Sequence, residues 1–190
     1  MPTAQKTYAM LVNQNLWDTP ALSERVLSDA GVSHSVCGGV AVCLHGYQRN
    51  TVDLDVIVQK SDVIQTRELL QASGLAGDAT AREFRTKAGI AIQFLISGET
   101  AGRSYEMKDP IPIGDQNVEV IEGLTVLRLS RLIEIKIACG LANMRRTHKD
   151  FADVVELIAI RRLDGSFSRF LHKSLRKTLR ELAGRVNDDA

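Results

Sequence analysis

The segment Asp53-Leu-Asp55-Val-Ile-Val58 constrains this chain more than any other stretch. In an extended strand, residues two apart point to one face, so the two carboxylates converge while Leu54, Val56 and Val58 alternate with them. Aspartate is disfavoured in strands, and side-by-side like charges repel. Packing therefore gives no reason for the pair. A divalent cation would remove the repulsion, and Mg²⁺ characteristically takes one or two carboxylates plus substrate phosphates. Taken alone, the motif also fits two solvated aspartates at the start of a strand. Gly38-Gly39 narrows the choice. Two glycines between a strand and a helix let the backbone approach a ligand closely, and their amides beside a helix N-terminus suit a triphosphate. Strand, glycine pair, short helix, polar turn and acidic strand follow one another within about twenty residues.

The rest of the chain sets this unit in an α+β frame. Thr19-Pro20 reads as a cap and first-turn proline opening a helix over about 20–30. A strand is expected over 34–37 and a short buried helix over 40–45. Ser61 is expected to cap a helix over 62–72. Two strands, 83–86 and 90–96, are joined at Ala88-Gly89 as a hairpin. Residues 97–117, with three glycines and two prolines, read as a long loop. A final strand is expected over 118–121, and from Val126 the pattern turns helical. One helix is expected to stop at Gly140. Another is opened by Lys149-Asp150 after a basic loop, Met144 to Lys149, and an amphipathic helix covers about 168–185. Strands first and helices last predict an α+β domain with a C-terminal helical cap, its core over 1–125 and its helical segment over 126–190.

Length and charge fit this frame. A chain of 190 residues with 44% hydrophobic content suits one domain with a short helical appendage. The net charge of +1 excludes a general polycation, so any nucleic-acid contact must come from a local patch. No apolar run reaches the roughly 20 residues that cross a bilayer, and the N-terminus lacks a signal core. The three cysteines, without a Cys-x-x-Cys pair, fit free thiols, and the expected location is the cytoplasm.

The glycine pair, a gap of about a dozen residues and Asp53-x-Asp55 resemble the nucleotidyltransferase superfamily, whose core is shared with DNA polymerase beta. His45-Gly46 through Arg49-x-Thr51-x-Asp53-x-Asp55 is similar to its bacterial branch of minimal and abortive-infection-type enzymes. Glu134-Ile-Lys136 and Lys149-Asp150-x-x-Asp153 resemble that branch's downstream elements. The resemblance implies that Asp53 and Asp55 hold Mg²⁺ bridging a nucleoside triphosphate. It implies that Gly38 and Gly39 wrap the phosphates, with Arg49, Thr51, Lys136, Lys149 and Asp150 completing the site. It further implies transfer of a nucleoside monophosphate to a hydroxyl of RNA or tRNA, a protein or a small molecule. A toxin-type role with an antitoxin-type partner protein is one biological form of that expectation. One departure stands out. Relatives often carry a third carboxylate on a later strand, where this chain has Gln93, with Glu83 and Glu99 as substitutes. A catalytically degenerate binding or regulatory module is therefore the alternative.

Several residues keep two readings. His45 fits a satisfied structural histidine or a nucleotide contact, Arg49 a phosphate contact or neither. Lys136 fits a surface lysine or a phosphate ligand, and Lys149-Asp150 a helix start or part of the site. The tail arginines and lysines, Arg161 to Arg180, fit a solvated helix face or an RNA-facing surface.

Overall fold

The computed structural model describes residues 14–77, 80, 82–97 and 116–188. Most of the loop expected over 97–117, with Glu99, lies outside them. The first helix, α1 (Gln14–Asp29), begins five residues before Thr19 and carries Pro20 inside it, so Thr19-Pro20 is not its start. The reason is burial. Leu16 and Trp17 are almost completely enclosed. Burying two such side chains contributes about 1.5–3 kcal/mol each, which matches or exceeds the roughly 3 kcal/mol cost of an interior proline.

After α1 come β1 (His34–Cys37), α2 (Gly38–Leu44) and β2 (Asp53–Val58). A 3₁₀ turn (Lys60–Asp62) then precedes α3 (Val63–Ala72), so Asp62 and not Ser61 is the helix N-cap. The Ser61 hydroxyl instead donates to the Asp62 carboxylate at 2.7 Å. The hairpin β3 (Glu83–Arg85) and β4 (Ala91–Ile96) forms as expected.

β5 (Val118–Ile121) is followed by a strand that the sequence reading missed, β6 (Leu124–Leu127). Its residues Val126 and Leu127 had been read as the beginning of a helix. The turn between the two strands places Glu122 and Gly123 at φ +51° and +80°. Two successive positive φ values match the right-handed strand twist, a conformation usually signalled by Asn-Gly or Asp-Gly. With Glu in the first position that signal is absent.

The six strands form one mixed sheet in the order β3-β4-β2-β1-β6-β5. β1 runs antiparallel to β2 and parallel to β6, and β2 runs parallel to β4. The short link through α2 makes β1 and β2 antiparallel neighbours at the centre, so the glycine pair and the acidic strand meet inside the sheet and not at its rim. α1 and α3 pack on one another, and α1 also covers β1, β2 and β6.

The C-terminal helices are α4 (Leu129–Ala142), α5 (Met144–Arg161) and α6 (Arg176–Asp188). Gly140 does not end α4. A Cβ there would lie 2.6 Å from the Phe151 ring, so the missing side chain brings α4 and α5 together. The basic run from Met144 is the first part of α5 and not a loop. Asn143 caps that helix by accepting from the Arg145 amide at 3.0 Å. The segment expected as one helix over 168–185 is two 3₁₀ turns and then α6. Asp164 and His172 each accept a backbone N–H at the head of those turns. Within it Leu171, Leu175 and Leu179 are buried, but Phe170 remains 48% exposed.

Candidate functional site

The floor of the candidate site is built by local sequence. β1 ends at Cys37, and Gly38 turns the chain into α2 at φ +62°. Because β1 and β2 are antiparallel with Cys37 opposite Asp55, the Asp55 side chain lies directly against that turn. A Cβ on Gly38 would stand 1.8 Å from Asp55 Oδ2. Only glycine fits here, for conformation and for space. Gly39 is equally tight, since its Cβ would meet Thr51 Oγ1 at 2.4 Å. Thr51 in turn donates to Asp53 Oδ1 at 3.2 Å. Gly38 thus lies against Asp55, and Gly39 against the Thr51 that holds Asp53.

Asp53 and Asp55 are partly exposed, with the core residue Leu54 between them fully buried, as a shared outer face requires. The electrostatics bear the mark of two crowded anions. Burial, and then the neighbouring Asp53, raise the Asp55 carboxyl above its ordinary value, while Lys136, Arg146 and Lys149 pull it back. Burial and Asp55 also push the Cys37 thiol well up, which keeps it a neutral packing group. Among the described residues no three His, Cys, Asp or Glu side chains converge on a metal position. Two partly exposed carboxylates on one strand face beside a glycine turn are the donor set Mg²⁺ uses when substrate phosphates supply the rest, so the residues present fit that ion.

Gln93 lies opposite Asp55 on the parallel strand β4, and Glu83 lies opposite Gln93 on β3. Asp55, Gln93 and Glu83 therefore form one row across the sheet. The Gln93 amide donates to Glu83 Oε2 at 3.2 Å, and Arg85 pairs with the same carboxylate.

The remaining expected residues divide. Lys136 is not a surface lysine. Its ammonium lies 3.0 Å from Asp150 Oδ1 and 2.7 Å from Asp153 Oδ2, and all three side chains are buried. Asp150 also receives Arg146 at 3.0 Å. Arg49 reaches Asp153 with Nη2 at 3.1 Å and with Nε at 2.6 Å, the latter an ion contact without an aligned N–H. Three cations thus share two carboxylates, and the cluster keeps a net positive charge next to the aspartate pair. Lys149 is exposed on α5, where its charge still acts on Asp55. It does not open that helix and lies in its second turn.

His45 is a structural histidine. Its Nε2 meets the Leu127 carbonyl oxygen at 2.7 Å, and burial lowers its pKa. Asp153 stands in the sequence only as the end of the Lys149-Asp150-x-x-Asp153 element, and its pairing was not legible there. Its partner Arg49 is 104 positions away. The only available signal was its place three residues after Asp150, one turn along the same helix face.

No family model matches the sequence, and no curated protein matches it. Solved structures do. A Thermotoga maritima protein crystallised as a candidate nucleotidyltransferase is similar with a TM-score of 0.54 at 14% identity, over 73% of this chain and 93% of that one. The enzyme ANT(2")-Ia, in complex with adenylyl-2"-tobramycin, is similar with a TM-score of 0.53 at 10% identity, over 86% of this chain and 98% of that one. These likenesses are of fold, and no described helix is long and apolar enough to cross a membrane. The chain therefore carries the nucleotidyltransferase fold.

Proposed function

We propose that this chain is an Mg²⁺-dependent nucleotidyltransferase that moves a nucleoside monophosphate from a nucleoside triphosphate to a hydroxyl acceptor. The observation that carries the reading is the contact between Gly38 and Asp55, so close that a Cβ would fall 1.8 Å from the carboxylate. Asp53 and Asp55 would hold the ion, which when bound would offset triphosphate charge and favour departure of pyrophosphate. Gly38 and Gly39 present backbone to the phosphates. Thr51 orients Asp53, and Arg49 and Lys149 supply positive charge. Lys136 and Asp150 act from the buried cluster behind the turn, where Lys136 contributes field at Asp55 and Asp150 holds it in place. In the reaction the acceptor oxygen bonds to the α-phosphorus, the bond to the bridging oxygen breaks and pyrophosphate leaves with the electron pair. Glu83, in the row of Asp55 and Gln93, would substitute for the missing third carboxylate and take the hydroxyl proton once released from Arg85. Such chemistry rests on positioning and on charge already in place.

The acceptor class includes RNA or tRNA, a protein and a small molecule, the last supported by the tobramycin adduct in ANT(2")-Ia. The sheet core, which runs on through β6, and the helices after it serve this as one cytoplasmic enzyme. A toxin-type role with an antitoxin-type partner is its biological extension. The test is label transfer from α-labelled triphosphates to candidate acceptors. Transfer is expected with the wild type and is lost in Asp53→Asn and Asp55→Asn. Label that persists in both variants would remove the aspartates from the reaction. A second reading is favoured by Gln93, a neutral amide opposite Asp55. It makes the chain a degenerate nucleotide-binding module, which binds Mg²⁺ and triphosphate without turnover.

A further inference from the structure

Arg49 and Asp153 are joined across the whole fold. Arg49 stands in the loop between α2 and β2, Asp153 on the third turn of α5. The Arg49 side chain is 13% exposed and that of Asp153 1%, so the pair is largely withdrawn from water. A buried carboxylate with no partner would be costly, and Asp153 has two: Arg49 and Lys136. On its other side the guanidinium rests on the glycine turn. Its Nη2 lies 3.1 Å from where a Gly39 Cβ would be. Nη1 donates to the Asn50 carbonyl at 2.9 Å, which fixes the fork from the loop side. A guanidinium has five N–H groups in a rigid plane. Nε is buried against Asp153 and the bonds to Asn50 and Asp153 use one N–H each of Nη1 and Nη2, so the second N–H of each terminal nitrogen remains for a ligand on the turn.

We propose that Asp153 is a positioning residue for the reaction proposed above: it clamps the Arg49 guanidinium over the Gly38-Gly39 turn, so that Arg49 meets the phosphates of the bound triphosphate in a preset orientation. The inference rests on the nucleotidyltransferase reading and goes beyond it by giving Asp153, which has no part in that reading, a role in nucleotide affinity. A free arginine would lose rotamer entropy on gripping a phosphate, whereas one already held by Asp153 loses less. Lys136, sharing the same carboxylate, completes the brace behind the arginine.

The experiment is equilibrium binding of Mg²⁺ with each of ATP, CTP, GTP and UTP to the full chain and to Arg49→Gln, Asp153→Asn and the double variant. Each single variant is expected to weaken binding of the preferred triphosphate about tenfold, which is about 1.4 kcal/mol. The double variant should lose little more than either alone, because both remove one clamp. Losses that multiply to about a hundredfold, or an Asp153→Asn chain that binds like the wild type, would overturn the clamp. Asp153→Glu covers the case in which Asp153→Asn does not fold. It keeps the charge and the partners' neutralisation but displaces the carboxylate. It should melt near the wild type and yet bind more weakly, with KM raised and kcat retained; unchanged binding there overturns the proposal. A wild type that binds no triphosphate defeats the underlying function and the clamp with it. A wild type that binds while the Asp153 variants match it defeats the clamp alone.

Discussion

At the residue scale, the aspartate pair and the glycine pair are two halves of one object. Gly38 is left-handed and has Asp55 where a side chain would be. Gly38→Ala would store strain of about 1–3 kcal/mol and must also push Asp55 off the turn. Its melting temperature should fall by several degrees, and Mg²⁺–triphosphate affinity should be lost with it. An alanine variant that melts and binds like the wild type would show the turn to be pliable. The same crowding gives Asp55→Asn the opposite sign. It removes one of two like charges that burial already disfavours, so the metal-free chain, melted in the presence of EDTA, should gain roughly 1 kcal/mol. A lower melting temperature would mean that the charge is supported and not tolerated. These two pairs were legible in the sequence because the chemistry and the chain reversal lie within eighteen positions, Gly38 to Asp55. The pairing of Asp153 was not, although its motif was, since that pairing depends on a helix docking from far along the chain.

At the scale of elements, α1 is fastened to the sheet by one polar knot. Glu24 accepts from the Thr125 amide and hydroxyl, both at 2.8 Å, and meets His34 Nε2 at 3.0 Å, with the Ser28 hydroxyl also at 3.0 Å. His34 Nδ1 meets the Val32 carbonyl oxygen at 2.9 Å. Both ring nitrogens face acceptors, so the imidazolium, which donates twice, is the form that fits. For Glu24, burial acts to raise the pKa, but the bonds to His34 and Thr125 outweigh it and hold the carboxyl at about 2 instead of 4.5. For His34, burial acts to lower the pKa, and the Glu24 and Val32 bonds overcome it and raise the value above 6.5. The signs follow by linkage. The Glu24 contribution is complete above pH 4.5 and fades as pH falls toward 2. The His34 contribution is complete below pH 6.5 and fades as pH rises through its raised value. Stability measured by denaturant melts should therefore be highest between these limits, and Glu24→Gln should flatten both flanks. Flanks that stay equally steep in that variant would place the pH dependence elsewhere. The elements themselves were read unevenly. β1, β2 and the β3–β4 hairpin carry strong alternation or glycine signals. β6 is four residues long and follows a turn without the usual residues, and α5 is longer than its apolar pattern because a cap at Asn143 starts it early.

At the scale of the molecule, the near-neutral total charge conceals a division. The aspartate pair lies at the centre of the sheet, and a net positive cluster stands behind it, built from α4, α5 and Arg49 of the α2–β2 loop. A triphosphate with its cation should answer both, so neither Mg²⁺ nor nucleotide alone should stabilise the fold much. Together, at a hundredfold excess over Kd, they should add about 2.7 kcal/mol, or roughly 5–10 °C in a chain of this size. Equal shifts from nucleotide with and without Mg²⁺ would count against the aspartates as its seat.

The ion contact between Arg49 and the third turn of α5 also has a consequence for slow motions. The floor of the cradle is assembled from neighbouring sequence, but one of its walls belongs to a helix that can detach only by breaking that contact. Amide protons along α5 should therefore exchange more slowly with deuterium once nucleotide is in place, although most of that helix never touches it.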